Sequence, residues 1–309
     1  MSTSGFGSLK HTNRPSPESE QALHMPDQIP VTVVVPVKNE ARNLPRCLER
    51  LTRFQTVVIV DSGSTDETVE IAHTHGAEVV QFEWDGTFPK KRNWYLDNHT
   101  PDTKWVLFLD ADEFISDAFC DEIEAVVTED AHVGCWLTFH NWFMGRFLRH
   151  GDPFSKLAFF KHAAGRYERI DEDRWSHLDM EVHEHPVLEG SIGTIESPID
   201  HDDRRGLDSY LAKHNDYSAW EAKRYLALGP RGSAAWQALT RRQRSKYARI
   251  EKWWFPLAYF ILSYVVKRGF LDGRAGLALA RLKMQYYGHI RLKIREYRHQ
   301  SSSSISPPL

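Results

Sequence analysis

The sequence predicts an α/β protein built on a doubly wound, mostly parallel sheet, and three observations carry that prediction. Apolar, β-branched runs alternate with helical segments through the front of the chain. Those runs are apolar throughout rather than alternating, as strands covered on both faces are. Acidic residues gather where the runs end, which is where an open parallel sheet leaves its binding crevice. At 309 residues, with 41% hydrophobic and 12% aromatic content, the chain can bury one large core and carry appendages besides.

Residues 1–29 are rich in Ser, Pro and His without a signal-peptide core and read as a flexible leader. "VTVVVPV", Val31 to Val37, is the first strand, and Leu44, Cys47, Leu48 and Leu51 after it make one buried helical stripe. "TVVIV", Thr56 to Val60, is the second strand. The polar turn "DSGSTDET" follows, where Ser64 to Glu67 fits a capping box opening a helix over Val69, Ile71 and Ala72. "AEVVQF" is the third strand and "WVLFL", from Trp105, the fourth. The main domain is placed at 30–228, a basic amphipathic helical extension at 229–299, and a disordered Ser-rich tail at 300–309.

Net charge is −3, but its distribution is lopsided. From Arg241 to Arg298 fifteen Lys and Arg stand against three acids, Glu251, Asp272 and Glu296, so the rest of the chain is net acidic. Inside the basic stretch, "WWFPLAYFILSYVV" (Trp253 to Val266) is too short to span a bilayer. It reads as an interfacial element or as a core helix docking on the main domain. Cys47, Cys120 and Cys135 have neither metal-like nor disulfide-like spacing, read as reduced space-fillers, and imply a cytoplasmic setting.

Three acidic groups fall at one sheet edge: Asn39 and Glu40 after the first strand, Asp61 ending the second, Asp110 and Asp112 ending the fourth. Asp66 reads equally as a helix cap. Carboxylates this close stay ionised only with positive charge between them, and Asp-x-Asp supplies the partial ligand set Mg²⁺ or Mn²⁺ takes beside phosphate oxygens. A phosphate-bearing ligand is implied. No Walker loop and no GxGxxG follows a strand, which argues against an ATPase and a dinucleotide dehydrogenase.

The segments "VVVPVKNEARNLPRCLERL", "VVIVDSGSTDETVEIAHTHGAEVV" and "WVLFLDADEF", in this order, resemble the family 2 glycosyltransferases of GT-A fold. The resemblance is greatest to the branch of lipopolysaccharide core glycosyltransferases. It implies that Pro36 and Glu40 line a nucleotide pocket, that Asp61 accepts from the base or ribose of a uridine-type nucleotide, and that Asp110 and Asp112 hold the metal over the diphosphate. Arg92 and Asn93 in "PKKRNWYL" match the family's basic-Asn pair near the nucleotide, while Lys90 and Lys91 read either as partners there or as a solvated helix face. Val182, His183 and Glu184 match the Val-His-Glu motif, with Glu184 the general base and Glu181 and Asp179 the fallbacks. His201 matches a downstream histidine that completes the metal site or touches the diphosphate. Where the family has an Arg this chain has Ala158, in "KLAFFK", and Trp175 is a candidate sugar-stacking residue.

The implied activity is inverting, metal-dependent transfer of a sugar from a nucleotide-diphosphate donor, a UDP-hexose for choice, to a hydroxyl of a glycan or glycolipid acceptor. The setting would be cell-envelope polysaccharide or lipopolysaccharide synthesis. The basic extension suits peripheral association with the anionic inner face of the cytoplasmic membrane. Nucleic acid is not an expected partner, since no nucleic-acid module is recognisable and the body is acidic. Three alternatives stand beside this reading: a polyprenyl-phosphate hexosyltransferase, a catalytically silent glycan- or membrane-binding protein on the same fold, and a zinc hydrolase using His183, His185 and His201 with Glu184 as base.

Overall fold

The computed structural model describes residues 28–151, 154–170 and 185–303, with side chains as far as Gln300. The α/β class is as expected. The front half runs β1 (Ile29–Val37), α1 (Leu44–Leu48), β2 (Phe54–Asp61), α2 (Thr68–Thr74), β3 (Glu78–Gln81), α3 (Lys91–Asn98) and β4 (Trp105–Phe108). β2 and β4 pair with β1, and β3 with β2, all parallel. From Val31 to Val37 every residue of β1 is buried, so the unbroken apolar run does mark a strand covered on both faces. The stripe Leu44, Cys47, Leu48 and Leu51 is buried too, although α1 ends at Leu48.

Beyond β4 the sheet becomes mixed. β5 (Glu113–Phe114), α4 (Asp117–Glu129), β6 (Gly134–Phe143), β7 (Arg146–Leu148), β8 (Phe154–Lys161) and β11 (Ile192–His201) extend the sheet, while β9 (Gly165–Tyr167) and β10 (Pro186–Leu188) form a separate antiparallel pair. The sheet order is β3-β2-β1-β4-β8-β6-β11-β5, with β7 on β6 off that path. β8 is antiparallel to both β4 and β6, β11 is parallel to β6, and β5 antiparallel to β11. Because β8 runs against β4, its first residues lie beside the carboxyl end of β4. That reversal, which carries no motif, delivers Lys156 to the site. The core between the layers is aromatic: Trp105 stacks on Phe159 at 4.6 Å and both are buried.

The remaining helices are α5 (Gly206–Ala227), α6 (Ala234–Ala238), α7 (Arg241–Tyr247), α8 (Phe255–Phe260) and α9 (Gly273–Ser303), with a π-helical turn over Ile261–Val266 and a 3₁₀ turn over Gly269–Asp272 between the last two. A second core joins Ala222 and Leu228 to Trp236, Tyr247, Ile250, Tyr286, Ile290 and Ile294. The helical layer therefore draws on α5 as well as on residues beyond 228. α9 continues to Ser303, past Gln300 where a disordered tail was expected. All three cysteines are free and buried. Among the described residues no helix is long and apolar enough to cross a membrane.

Candidate active site

The loops after β1 and β2 are stitched together by their own polar residues. Asn39, in a left-handed conformation, accepts from the Thr65 N–H at 2.7 Å and gives its own N–H to the Ser64 hydroxyl at 2.8 Å. The Asp61 carboxylate, 1% exposed, accepts the Ser64 N–H at 3.0 Å and the Ser64 hydroxyl as well. The expected capping box is absent, because Ser64 is spent on Asp61 and Asn39. Asp66 does the capping instead, accepting the Thr68 N–H at 3.1 Å and the Ala41 N–H at 3.2 Å. The Glu40 N–H donates to the Thr68 hydroxyl at 2.8 Å, which sets Glu40 at the crevice with its pKa raised by burial. Pro36 lies buried within β1, opposite Val60.

α3 brings cations to that edge. Lys90, Lys91, Arg92 and Asn93 are all buried, so the solvated helix face is ruled out for the two lysines. The Lys91 ammonium reaches the Val37 carbonyl at the end of β1, at 3.3 Å. Asn93 is committed to architecture: its amide clamps both backbone groups of Tyr167 at 2.9 Å, fixing α3 to β9. Arg92 reaches the Asp110 carboxylate at 3.0 Å.

Two carboxylates, Asp110 and Glu113, share one lysine. Lys156 lies 2.7 Å from Asp110 Oδ2 and also donates to Glu113, while Glu113 Oε2 accepts the Asp110 N–H at 2.9 Å. Burial alone would raise the Asp110 carboxyl, but Lys156 and Arg92 outweigh it and hold it well below the usual range. Glu113, wholly enclosed, is pushed up by burial against the pull of Lys156. Burial depresses the Lys156 ammonium less than Asp110 and Glu113 raise it, so it stays charged.

Asp112 turns the other way, toward β11. The β5–β11 register sets His201 opposite Glu113, and the β6–β11 register sets it opposite Asn141. His201 Nδ1 donates to Asn141 Oδ1 at 2.9 Å, which leaves Nε2 facing Asp112 Oδ1 at 3.6 Å. Burial pulls the His201 pKa down, but Asp112 outweighs it and the net shift is upward. Asp112, His201 and Asp203 each present a ligand atom within 4.8 Å of the others. The donor set fits a divalent ion: two carboxylates and an imidazole whose far nitrogen is already held by an outer partner. The Asp112 and His201 assignments thus converge, with Asp203 joining them. Asp110, expected in the same role, stands outside this group because Arg92 and Lys156 take both its oxygens.

Sequence reasoning missed Arg205. Its guanidinium lies 3.0 Å from Asp112 Oδ2, 3.0 Å from Asp203 Oδ2 and 3.6 Å from Glu40. The only sequence signal is its place three and two residues after Asp202 and Asp203, in "HDDRRG". Lys156 was also missed. It sits two residues, one pleat repeat, before the Ala158 that departs from the family pattern, and it provides a cation there. Of the zinc trio, His185 packs edge-on against Trp136 at 5.6 Å and is not grouped with His201 among the described residues, while His183 lies outside them. His183, the proposed base Glu184, Glu181, Asp179 and Trp175 lie outside the described residues.

The carboxyl edge of this α/β sheet thus gathers carboxylates, paired cations and a group of three side chains that could hold a divalent ion. The comparisons are narrower. The model of glycosyl transferase family 2 matches residues 32–181, and that stretch is a family 2 glycosyl transferase domain. An uncharacterized glycosyltransferase of Rickettsia bellii is 25% identical over 252 residues, 78% of this chain and 80% of its own length. The lipopolysaccharide core biosynthesis glycosyltransferase LpsC of Rhizobium meliloti is 26% identical over 213 residues, 66% of this chain and 74% of its own length. The crystal structure of S. aureus TarS in complex with UDP-GlcNAc overlaps at a TM-score of 0.44 and 16% identity, covering 87% of this chain and 92% of that one.

Proposed function

We propose that this glycosyl transferase moves a hexose from a UDP-sugar to a hydroxyl of a glycan or glycolipid acceptor of the cell envelope, with inversion and with Mg²⁺ or Mn²⁺. The observation that carries the reading is the convergence of Asp112, His201 and Asp203 beside the cation-saturated Asp110. An ion held by those three would supply Lewis-acid neutralisation of the departing diphosphate. Arg92 and Lys91, buried at the same edge, favour a doubly charged diphosphate there. Asp61 and Glu40 face the nucleotide, Pro36 forms the floor, and Asn93 holds α3 in register. Glu184 is the proposed base, taking the acceptor proton as the hydroxyl attacks the anomeric carbon. Single displacement suits the site, because Asp110 has both oxygens on cations and is a poor nucleophile for a covalent intermediate.

A second reading has its own observation. Arg205 already lies between Asp112 and Asp203, so a guanidinium can serve as the cation of this site and the transfer would then need no metal. One experiment separates the readings: metal-stripped protein is given UDP-, GDP- and dTDP-sugars, with and without Mn²⁺, and free nucleotide and thermal stability are measured. Mn²⁺-dependent release from, or thermal stabilisation by, a UDP-hexose supports the first reading, the same without metal the second, and neither release nor stabilisation with any donor contradicts both.

A further inference from the structure

We infer that the α8–α9 turn, residues 253–271, is a membrane-docking surface that lays the protein on an anionic bilayer beside its active site. The inference stands apart from the donor and metal assignments. The sequence left this apolar run open between a core helix and an interfacial element, and in the structure one of its faces packs on α9 while the other is exposed. Trp253 is 74% exposed, Leu257 50%, Ile261 47%, Val265 53%, Val266 65% and Leu271 51%. Leu257, Ile261 and Val265 recur every fourth residue along one outward face.

The opposite face is pinned down, so this is a fixed surface and not a loose tail. Phe255 and Tyr259 pack on Tyr287 of α9, with ring centroids 5.1 and 4.4 Å apart. Gly151, Gly269 and Gly276 let three backbones approach where no side chain fits: a Cβ on Gly276 would meet the Gly269 carbonyl at 2.1 Å, and one on Gly269 the Ser263 carbonyl at 2.8 Å. Asp272 completes the clasp, accepting the His150 N–H at 2.8 Å and the Arg149 N–H at 3.3 Å.

Charge selects the occupant. Lys252, Lys267 and Arg268 are exposed at the rim, whereas of the two neighbouring acids Asp272 is buried in the clasp and Glu251, half-buried, is paired with Arg298 at 2.9 Å. A second copy of the chain would set these like charges near one another, whereas anionic headgroups complement them. Exposed Trp at the edge of an apolar face, with basic neighbours and no spanning helix, is the composition of an element lying in the bilayer interface. The position matters as well. Gly151, in the clasp, precedes the site lysine Lys156 by five residues, so the chain can separate them by at most about 18 Å. A bilayer-borne acceptor would be presented at the site.

The test is sedimentation of the full chain with vesicles of phosphatidylcholine containing one third phosphatidylglycerol, and with pure phosphatidylcholine vesicles, without donor. Binding to the anionic vesicles is expected, weakened by salt, falling about fivefold for each of Lys252→Gln, Lys267→Gln and Arg268→Gln. Leu257→Ser/Ile261→Ser is expected to abolish binding while leaving nucleotide release from donor in solution unchanged. Fluorescence of Trp253 should shift to the blue with anionic vesicles, a change lost in Trp253→Phe. Equal binding to both vesicle types, no binding, or a concentration-dependent dimer broken by Ile261→Asp would each overturn the inference.

Discussion

Two buried carboxylates, Glu113 and Glu221, invite comparison because each is held by a lysine and each is almost fully enclosed. Glu221, in the helical layer, is held between Lys246 and the Tyr247 hydroxyl, the latter 2.7 Å away. Glu113 shares its lysine with Asp110, and Asp110 in turn draws in Arg92. Next to it Asp112, His201 and Asp203 point donor atoms at one another. A buried ion pair alone therefore marks nothing but packing. What sets the second place apart is a convergence of several carboxylates, cations and an imidazole on one sheet edge.

The sharpest way to break that contrast is Asp112→Asn. It should cost at least about 100-fold in Mn²⁺ affinity and remove donor turnover, read by calorimetry and nucleotide release, while Glu221→Gln leaves Mn²⁺ affinity unchanged. Next in size, Lys156→Met should destabilise the fold by about 3–5 kcal/mol, because it leaves the enclosed Glu113 beside the half-buried Asp110 without their shared lysine. Chemical denaturation would measure this, and Glu113→Gln in the same chain should recover part of the loss.

The helical layer offers a pH signature of its own. His214 stacks on Tyr210 at 3.8 Å, meets Tyr286 edge-on, and has its pKa pushed down to about 4, by burial first and Lys283 second. The folded-state value is depressed, so this contribution is complete above the ordinary value of 6.5 and is lost as pH falls toward 4. Relative to His214→Gln, the natural chain should lose about 2 kcal/mol between neutral pH and pH 4.5 in denaturant melts. Smallest is Arg205→Ala, which removes a half-exposed competitor for Asp112 and Asp203. Mn²⁺ affinity should rise about fivefold, while it should fall if Arg205 instead positions those carboxylates for the ion.

Legibility followed the same divide. The parallel front half could be read because β1, β2 and β4 are unbroken apolar runs and their ends carry the acids, so strands and crevice were located together. Asp112 and His201 were picked out by their motifs, and the structure sets them side by side. Lys156, Asp203 and Arg205 were not, since they reach the site through the antiparallel entry of β8 and the β5–β11 register, and pairing partners leave no local pattern in a single chain. Asp61 and Asn93 were identified as site residues, yet much of their hydrogen-bonding capacity goes to Ser64 and Tyr167, which spacing does not reveal. In the helical layer, the run 253–266 has the same composition whether it faces a core or a lipid surface. Only the packing of Phe255 and Tyr259 on Tyr287 separates its two faces.

The central claim is that Asp112, His201 and Asp203 hold a divalent ion that the nucleotide needs. It is met most directly by titrating UDP into metal-stripped protein with and without Mn²⁺, for the natural chain and for Asp112→Asn. The account predicts tight UDP binding only with Mn²⁺ and only with Asp112 intact. UDP binding equally well without metal, or undiminished in Asp112→Asn, would contradict it.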